Sequence, residues 1–141
     1  MKSTAQLIDQ YKSVVDNNRT HSVVVDLPET SNGTDAGPTA LELSLMSLSG
    51  CISTIFAQMA KKMRMDYQDF EVVVEGEKSA DINTIGWVHI NVSLVSDESR
   101  SKIEKCLDKT MDHCPVGVLF KRAGVEINTE IELETPQTVM S

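Results

Sequence analysis

The sequence predicts one α+β domain spanning residues 1–141. Its 141 residues leave room for a single hydrophobic core and exclude a two-domain enzyme. Hydrophobic residues make up 40% and charged residues 24%, as in an ordinary globular protein. Strand patterns of hairpin type are interspersed with helical patterns, and few βαβ crossovers are indicated. Because aromatic residues are only 4%, we expect a core of Val, Ile, Leu and the seven Met.

The first part of the chain predicts a helix, a strand and a loop. Apolar side chains at helical spacing favour a short amphipathic helix over residues 4–16, with an extended conformation as the alternative. These side chains are Leu7 or Ile8, Tyr11, and Val14 or Val15. The valine-rich segment 19–27 predicts a strand, which Pro28 closes. Residues 29–36 are small and polar, as is typical of a mobile connection.

Residues 37–64 predict the core helix. Gly37-Pro38-Thr39 opens it, and Glu42 lies in its first turn, where a carboxylate suits the positive helix end. Its apolar residues cover more than one stripe, so we expect burial on most of its circumference. These are Leu41, Leu45, Leu48, Ile52, Ile55, Phe56, Met59 and Met63. The uncharged stretch from Leu43 to Ala60 is too rich in Ser, Thr, Gly and Gln to predict a membrane span.

The second half predicts strands at 70–74 and 84–95, a helix from 96 to 114 and a last strand at 124–134. In the second strand one face is apolar and the other partly polar, and Pro115 is expected to stop the helix. The apolar face holds Val88, Ile90, Val92 and Leu94, and the other holds Trp87, His89, Asn91 and Ser93. The last strand alternates with a face that we interpret as solvated, namely Glu126, Glu130, Glu132 and Glu134. The predicted order is α-β-α-β-β-α-β.

The charge balance limits the partners of the protein. Thirteen Lys+Arg against twenty-one Asp+Glu give a net charge of −8, which repels phosphate backbones and anionic bilayers. We therefore expect neither nucleic acid nor a membrane as partner. The N-terminal residues carry Asp9 and Asp16 where a signal peptide would be apolar, which predicts a cytoplasmic protein. No nucleotide-binding or hydrolase motif occurs, and no cofactor is expected.

The three cysteines are the candidate chemical groups. An odd number at irregular spacing suits neither a disulfide framework nor a zinc module, so any functional cysteine should act as a thiol. Cys51 and Cys106 each fit a small buried hydrophobe when taken alone. Cys114 ends a predicted helix, where the negative dipole end would keep its pKa high. No metal site is expected, because His21, His89 and His113 lack metal-binding spacing.

Two motifs together carry a family resemblance. Gly37-Pro38-Thr39-Ala40-Leu41-Glu42-Leu43 is followed by Cys51, and His113-Cys114-Pro115-Val116 comes about sixty residues later. This combination resembles the OsmC/Ohr family of osmotically inducible and organic-hydroperoxide-resistance proteins. The residue pattern of the first motif is similar to that of the broader OsmC-like branch. The resemblance runs from about Arg19 to the C-terminus. It implies an intertwined homodimer with the cysteine-bearing helix buried at its centre and two sites at the subunit interface.

The resemblance also implies roles for individual residues. Cys51 would be the peroxidatic thiol and Cys114 the resolving thiol, which forms a disulfide with it. Arg19 and Glu42 would hold the thiolate, with Arg122 as the alternative arginine. Glu42 stands nine residues before Cys51, whereas the established peroxidases have their glutamate ten residues before the cysteine, a difference of about 100° around a helix. A small dithiol or a lipoylated protein would restore the thiols.

Two functions follow as hypotheses. The first is a thiol-dependent peroxidase that reduces organic hydroperoxides through the cysteine pair, as part of an antioxidant stress response. The second is a non-catalytic protein that binds a small apolar ligand at the dimer interface, with both cysteines serving as packing. Thiolate character separates the two hypotheses.

Overall fold

A computed structural model describes residues 1–137, and it confirms the α+β class. The chain divides into two compact units, one from Met1 to Ser44 and one that begins at Leu45. Each unit contains a three-stranded sheet. The strands are β1 (Thr4–Asp9), β2 (Lys12–Asp16), β3 (Ser22–Val25), β4 (Gln68–Ser79), β5 (Thr84–Val95) and β6 (Glu126–Glu134). The helices are α1 (Ala40–Lys62), α2 (Arg100–His113) and α3 (Pro115–Arg122), with a 3-10 turn at Glu29–Ser31.

The predicted helix at residues 4–16 is wrong, and the extended alternative is what the structure adopts. β1 and β2 form an antiparallel hairpin, and β3 pairs with β2 on its other side. The apolar residues whose spacing indicates a helix lie on both sides of the turn at Gln10, and a register shift between Leu7 and Asp9 precedes that turn. Val14 pairs with Val24 in the neighbouring strand, and such β-branched contacts favour the sheet.

The segment between β3 and α1 is not the loose connection expected from its composition. Asp26 is 2% exposed, and its carboxylate accepts hydrogen bonds from the Thr34 hydroxyl at 2.6 Å and the Ala36 amide at 3.1 Å. It also accepts from the amides of Leu27 and Thr34. Gly33 sits so close to the Leu27 carbonyl that a Cβ there would lie 1.9 Å from its oxygen. The Asp26 carboxylate thus links Leu27, Thr34 and Ala36 of the loop. We call this set of hydrogen bonds the Asp26 clamp.

A reciprocal pair of hydrogen bonds starts α1. The Thr39 hydroxyl accepts from the Glu42 amide at 3.1 Å, and the Glu42 carboxylate accepts from the Thr39 amide at 3.0 Å. This is a capping box, which satisfies two amides that would otherwise lack partners at the helix start. The prediction that the helix opens near Thr39 is confirmed.

Burial on α1 is confined to one stripe in this chain. Five of its 23 residues are buried, namely Leu48, Ile52, Phe56, Met59 and Ala60. Phe56 anchors the stripe by stacking on Phe70 of β4 with ring centroids 4.3 Å apart. The expectation of burial around most of α1 is therefore not met by one chain alone. By length and composition α1 could also cross a bilayer, which is weak evidence because core helices of soluble proteins pass the same test.

The second sheet has the order β4-β5-β6, with β4 antiparallel and β6 parallel to β5. The predicted alternation along β5 is confirmed, because Val88, Ile90, Val92 and Leu94 are all buried. The interpretation of the acidic β6 face as solvated is also confirmed. Its glutamates, Glu126, Glu130, Glu132 and Glu134, are exposed. On the outer face, the Asn91 side-chain amide donates a hydrogen bond to the Glu132 carboxylate at 3.2 Å.

Two helices, not one, connect β5 to β6. Ser99 caps α2 by accepting from the Lys102 amide, and α2 ends at His113. Pro115 was expected only to stop this helix, but it also begins α3 as its first residue. Proline is favoured there because the first helical amide needs no intrahelical partner and the ring presets φ. The prediction missed α3 because it used proline as a stop signal alone.

Acid titration should test the Asp26 clamp. Hydrogen bonds, first that of the Thr34 hydroxyl and then that of the Ala36 amide, lower the pKa of Asp26 from 3.8 to about 2. A lowered carboxyl pKa stabilises the fold above the unfolded value and loses that contribution as pH falls from about 4 towards 2. We expect Asp26→Asn to lower the thermal midpoint at neutral pH and to flatten the decline of stability across that acid range.

The matched control is Asp35→Asn, because Asp35 is exposed in the same loop and asparagine tolerates its φ of 52°. The thermal midpoint of each variant is measured by circular dichroism as a function of pH. Equal losses in both variants, or an unchanged acid profile in Asp26→Asn, would contradict the clamp.

Candidate functional site

Cys51 lies in the middle of α1 at the edge of its buried stripe. Leu48 and Ile52, which flank it on the helix, are fully buried, whereas Cys51 itself is half-buried. Its thiol therefore stands where an apolar surface meets the exposed face of the helix. A cysteine that served only as packing would be expected on the buried stripe itself.

Cys114 occupies the junction between α2 and α3. Its residue is 0% exposed and ends α2 while capping α3. Its Sγ accepts a hydrogen bond from the Gly117 amide at 3.3 Å, as a capping hydroxyl would. The sequence predicts only that Cys114 lies at the negative end of a helix. In the structure its sulfur also faces the positive start of α3.

The structure brings Cys51 and Cys114 together as free thiols. Burial, followed by a hydrogen bond with Cys51, raises the pKa of Cys114 to about 11. Amides of Gly117 and Val116 act in the opposite direction by donating to the sulfur. The direction expected from the sequence agrees, but its cause is burial and the Cys51 contact instead of the helix dipole. A negative charge on Cys51 further opposes one on Cys114.

Cys106 has the core position expected for it. It is 0% exposed on the inner stripe of α2, beside Ile103 and Leu107. Burial raises its pKa, which makes it a poor nucleophile. The Thr110 hydroxyl donates to its carbonyl at 2.7 Å, so this part of α2 is tightly bonded. Cys106 therefore supplies an internal control for the reactivity of the other two cysteines.

Arg19 and Glu42 belong to the first unit, and the structure gives each a local setting. Arg19 lies exposed in the β2–β3 turn, where its amide donates to the Asn17 side chain at 2.9 Å. Its guanidinium makes no ion pair with any carboxylate of residues 1–137. The Glu42 carboxylate is engaged in the capping box with Thr39. Arg122, the alternative arginine, lies exposed in the last turn of α3.

The histidines are occupied by local contacts. His113, next to Cys114, uses its Nδ1 to donate to the Lys109 carbonyl at 2.8 Å. His89 lies 3.4 Å from Glu130 on the outer face of the second sheet. Among residues 1–137 no group of three or more His, Cys, Asp or Glu side chains converges as a metal site would require.

Sequence reasoning missed the amides of Val116 and Gly117 as part of the site. The available signal was proline directly after a cysteine, which is the pattern of an N-cap followed by the first helical residue. Gly117 is also closely packed, because a Cβ there would lie 3.4 Å from Cys114 Sγ and from Met111 Cε. These residues define the surroundings of the buried sulfur.

The site pairs a half-buried thiol with a buried thiol at a helix junction in an α+β fold. Comparison of the chain with known proteins shows its family. The family model described as OsmC-like protein matches residues 33–130, so the chain belongs to the OsmC family. That family includes organic hydroperoxide resistance proteins. No curated protein matches the chain.

Three solved structures illustrate the similarity of fold. An OsmC-like protein from Mycoplasma pneumoniae has a TM-score of 0.84 at 18% identity, covering 94% of this chain and 96% of its own. A protein of Psychrobacter arcticus described as a putative osmotic stress induced and detoxification response protein has 0.76 at 21%, covering 95% and 96%. The organic hydroperoxide resistance protein OhrB of Bacillus subtilis has 0.64 at 12%, covering 94% and 98%.

Removing the Cys51 thiol should make Cys114 more acidic. Cys51→Ala deletes both the hydrogen bond and the charge that raise the pKa of Cys114. We expect the pH midpoint for alkylation of Cys114 to move down from about 11, as followed by peptide mass spectrometry across a pH series. Cys106→Ala is the matched control and should leave the midpoint in place. An unchanged midpoint in Cys51→Ala would show that the two thiols do not interact.

Proposed function

We propose that this protein is a thiol-dependent peroxidase that reduces organic hydroperoxides through Cys51 and Cys114. The observation that carries the proposal is the contact between a half-buried thiol and a fully buried thiol from different elements. Membership of a family that includes organic hydroperoxide resistance proteins supports the same chemistry. Packing alone does not require two cysteines to meet in this way.

The reaction follows from the two environments. The Cys51 thiolate attacks the terminal peroxide oxygen, the O–O bond breaks, and a proton converts the leaving alkoxide to an alcohol. Cys51 is then a sulfenic acid. The Cys114 thiol attacks this sulfur, a disulfide forms, and the oxygen leaves as water. The pKa of Cys114, raised to about 11, keeps this thiol protonated at neutral pH, so Cys51 and not Cys114 is the thiol that reacts first with the peroxide.

The apolar setting of Cys51 favours peroxides with an organic tail. Ile55, half-buried one turn along α1 from Cys51, offers apolar surface to an alkyl chain but little to hydrogen peroxide. Binding of the tail would hold the peroxide oxygen at the sulfur. Arg19 and Glu42 remain the proposed groups that hold the thiolate, with Arg122 as the alternative.

The proposal includes a homodimer in the cytoplasm, restored to its reduced form by a small dithiol or a lipoylated protein. Much of α1 is uncovered in one chain, with Met46 52% exposed on a helix whose composition is that of a core. A second copy packed on this face would bury it. The net charge of −8 argues against nucleic acid or an anionic membrane as the partner that covers it.

A second candidate is a protein that binds a small apolar molecule without catalysis. A cavity of about 390 Å³ beside Gly117 is lined by the apolar Met111, Val125 and Ile127 and by the charged Asp108, Asp112 and Lys121. Its size suits a small ligand. The Glu42 carboxylate already accepts a hydrogen bond from the Thr39 amide, so less of its hydrogen-bonding capacity is left for activating a thiolate. Turnover of peroxide separates this candidate from the first.

Peroxide consumption tests the peroxidase directly. We expect cumene and tert-butyl hydroperoxide to oxidise the wild-type protein faster than hydrogen peroxide, by about tenfold or more if the tail contributes roughly 1.4 kcal/mol. Stopped-flow oxidation, followed by peptide mapping of the Cys51–Cys114 disulfide, provides the measurement.

Three serine variants assign the roles of the cysteines. Cys51→Ser should abolish turnover, Cys114→Ser should allow the first oxidation and block the disulfide, and Cys106→Ser should behave as wild type. If wild type consumes neither class of peroxide faster than a free thiol, the peroxidase proposal fails and ligand binding becomes the better account.

The dimer is tested at Gly50. A Cβ at this exposed position of α1 meets no atom within 4 Å, so Gly50→Leu fits the single chain without strain. Placed against a second copy, the added side chain should weaken association and produce a species near 15.5 kDa in light scattering. Ser101→Leu on the exposed face of α2 is the control. A wild-type monomer would refute the dimer, and a fully dimeric Gly50→Leu would refute this face as its interface.

A further inference from the structure

The strand β6 forms a free edge of the second sheet. β5 pairs with β6 on one side, and no strand of residues 1–137 pairs with it on the other. The carbonyl of Glu134 accepts from the amide of Ser96, the residue after β5, so the backbone of Glu134 points towards β5. Because backbone direction alternates along a strand, Ile131 points away from β5. Its carbonyl accepts instead from the Arg100 guanidinium at 3.0 Å.

The free edge leaves backbone groups without hydrogen-bond partners. Ile127 and Thr129 share the orientation of Ile131, and their amides and carbonyls bond to no group of residues 1–137. Thr129 is exposed and Ile127 is half-buried, so both positions can be approached from outside. A row of unpaired amides and carbonyls is a template on which another strand can be added.

A groove runs along this edge between β6 and the helices α2 and α3. It consists of two cavities of about 530 and 390 Å³, which share Asp108 and Thr129 in their linings. An extended segment of about seven residues would span its length. The lining residues lie on α2, on α3, on β6 and just before β6, and none of them lies on α1. A second copy packed on the exposed face of α1 therefore does not need this surface.

The groove carries an excess of negative charge. Arg100 and Lys121 are its two cations, and Arg100 already pairs with a carboxylate of the groove at 3.1 Å. Five carboxylates line it, namely Glu104, Asp108, Asp112, Glu130 and Glu132. A basic segment is therefore attracted to the groove, and an acidic one is repelled.

The same charges disfavour a second copy of this chain as the added strand. Two β6 edges paired with each other would bring the glutamates of one strand close to those of the other. The net charge of −8 on each chain further opposes this approach. Charged side chains on an edge strand are a common protection against such self-pairing.

We propose that the free edge of β6 binds an extended basic segment of a partner protein, which joins the second sheet as a further strand. Side chains of an added strand alternate between the two faces of the sheet. Those on the outer face lie beside Glu130 and Glu132, and those on the inner face lie towards Leu107 and Met111 of α2. The segment that fits therefore alternates Lys or Arg with β-branched apolar residues. This inference is independent of the proposed redox chemistry, because no cysteine lines the groove.

Peptide binding tests the inference. The probe is a fluorescent peptide of about seven residues that alternates lysine with valine, and its control has glutamate in place of lysine. Anisotropy titrations in physiological salt should show binding of the lysine peptide and none of the glutamate peptide up to about 1 mM. Amide hydrogen exchange followed by NMR should slow at Ile127 and Thr129 when the lysine peptide is bound, because strand addition gives these amides partners.

Two pairs of variants separate backbone pairing from charge. Thr129→Pro removes an amide that faces the free edge and takes no part in the pairing with β5, so an edge strand tolerates it. We expect about tenfold weaker binding, whereas Thr129→Val keeps the amide and should bind as wild type does. Asp108→Lys should weaken binding about fivefold. Its control, Asp81→Lys, makes the same charge change in the exposed turn between β4 and β5 and should not.

Failure of the lysine peptide to bind, equal binding of the two peptides, or wild-type affinity in Asp108→Lys would overturn the inference. Binding without slower exchange at Ile127 and Thr129 would show charge attraction without strand addition and would overturn it as well. Slow exchange of these amides before any peptide is added, with a smaller species for Thr129→Pro in light scattering, would assign the edge to a second copy instead. If Thr129→Pro does not fold, the exchange measurement and the Asp108→Lys titration decide the question.

Discussion

The parallel pairing of β5 with β6 is the constraint on which the thiol site depends. Parallel neighbours cannot be joined by a tight turn, so the chain must leave the sheet at Val95 and return at Glu126 through a helical crossover. Here the crossover is broken in two at Cys114 and Pro115. The break turns a helix interior into a helix start, so amides without an intrahelical partner donate to a buried sulfur.

The fold gives the two thiols of the pair different environments. Cys51 on α1 is half-buried, whereas Cys114 at the α2–α3 junction is fully buried. The third thiol, on the inner stripe of α2, has shelter without a partner cysteine. The environment of each cysteine is therefore set by the element on which it lies and by the groups that face it.

Much of this could be predicted from the sequence, and the failures have physical causes. The strand β5 is predicted correctly, because apolar residues that alternate with polar ones at a period of two indicate a strand with one buried face. The sequence does not predict the hairpin at residues 4–16, because the turn and the register shift before it leave the apolar residues at the spacing of a helix. The meeting of Cys51 with Cys114 was expected only from family resemblance, since no local pattern reports a contact between residues so far apart. The Asp26 clamp was invisible because its partners are mostly backbone amides, which every loop has.

The glutamates of β6 have a consequence for the behaviour of the protein in concentrated solution. In parallel register, Glu126 lies opposite Trp87 and Glu132 opposite Ser93, so the outer face of the second sheet joins an exposed ring to a row of carboxylates. Two such faces repel each other at neutral pH, which discourages sheet stacking and amyloid-like growth through that surface. The repulsion fades as salt screens the carboxylates. Colloidal stability should thus be lowest in high-salt buffers, which are best avoided when the protein is concentrated.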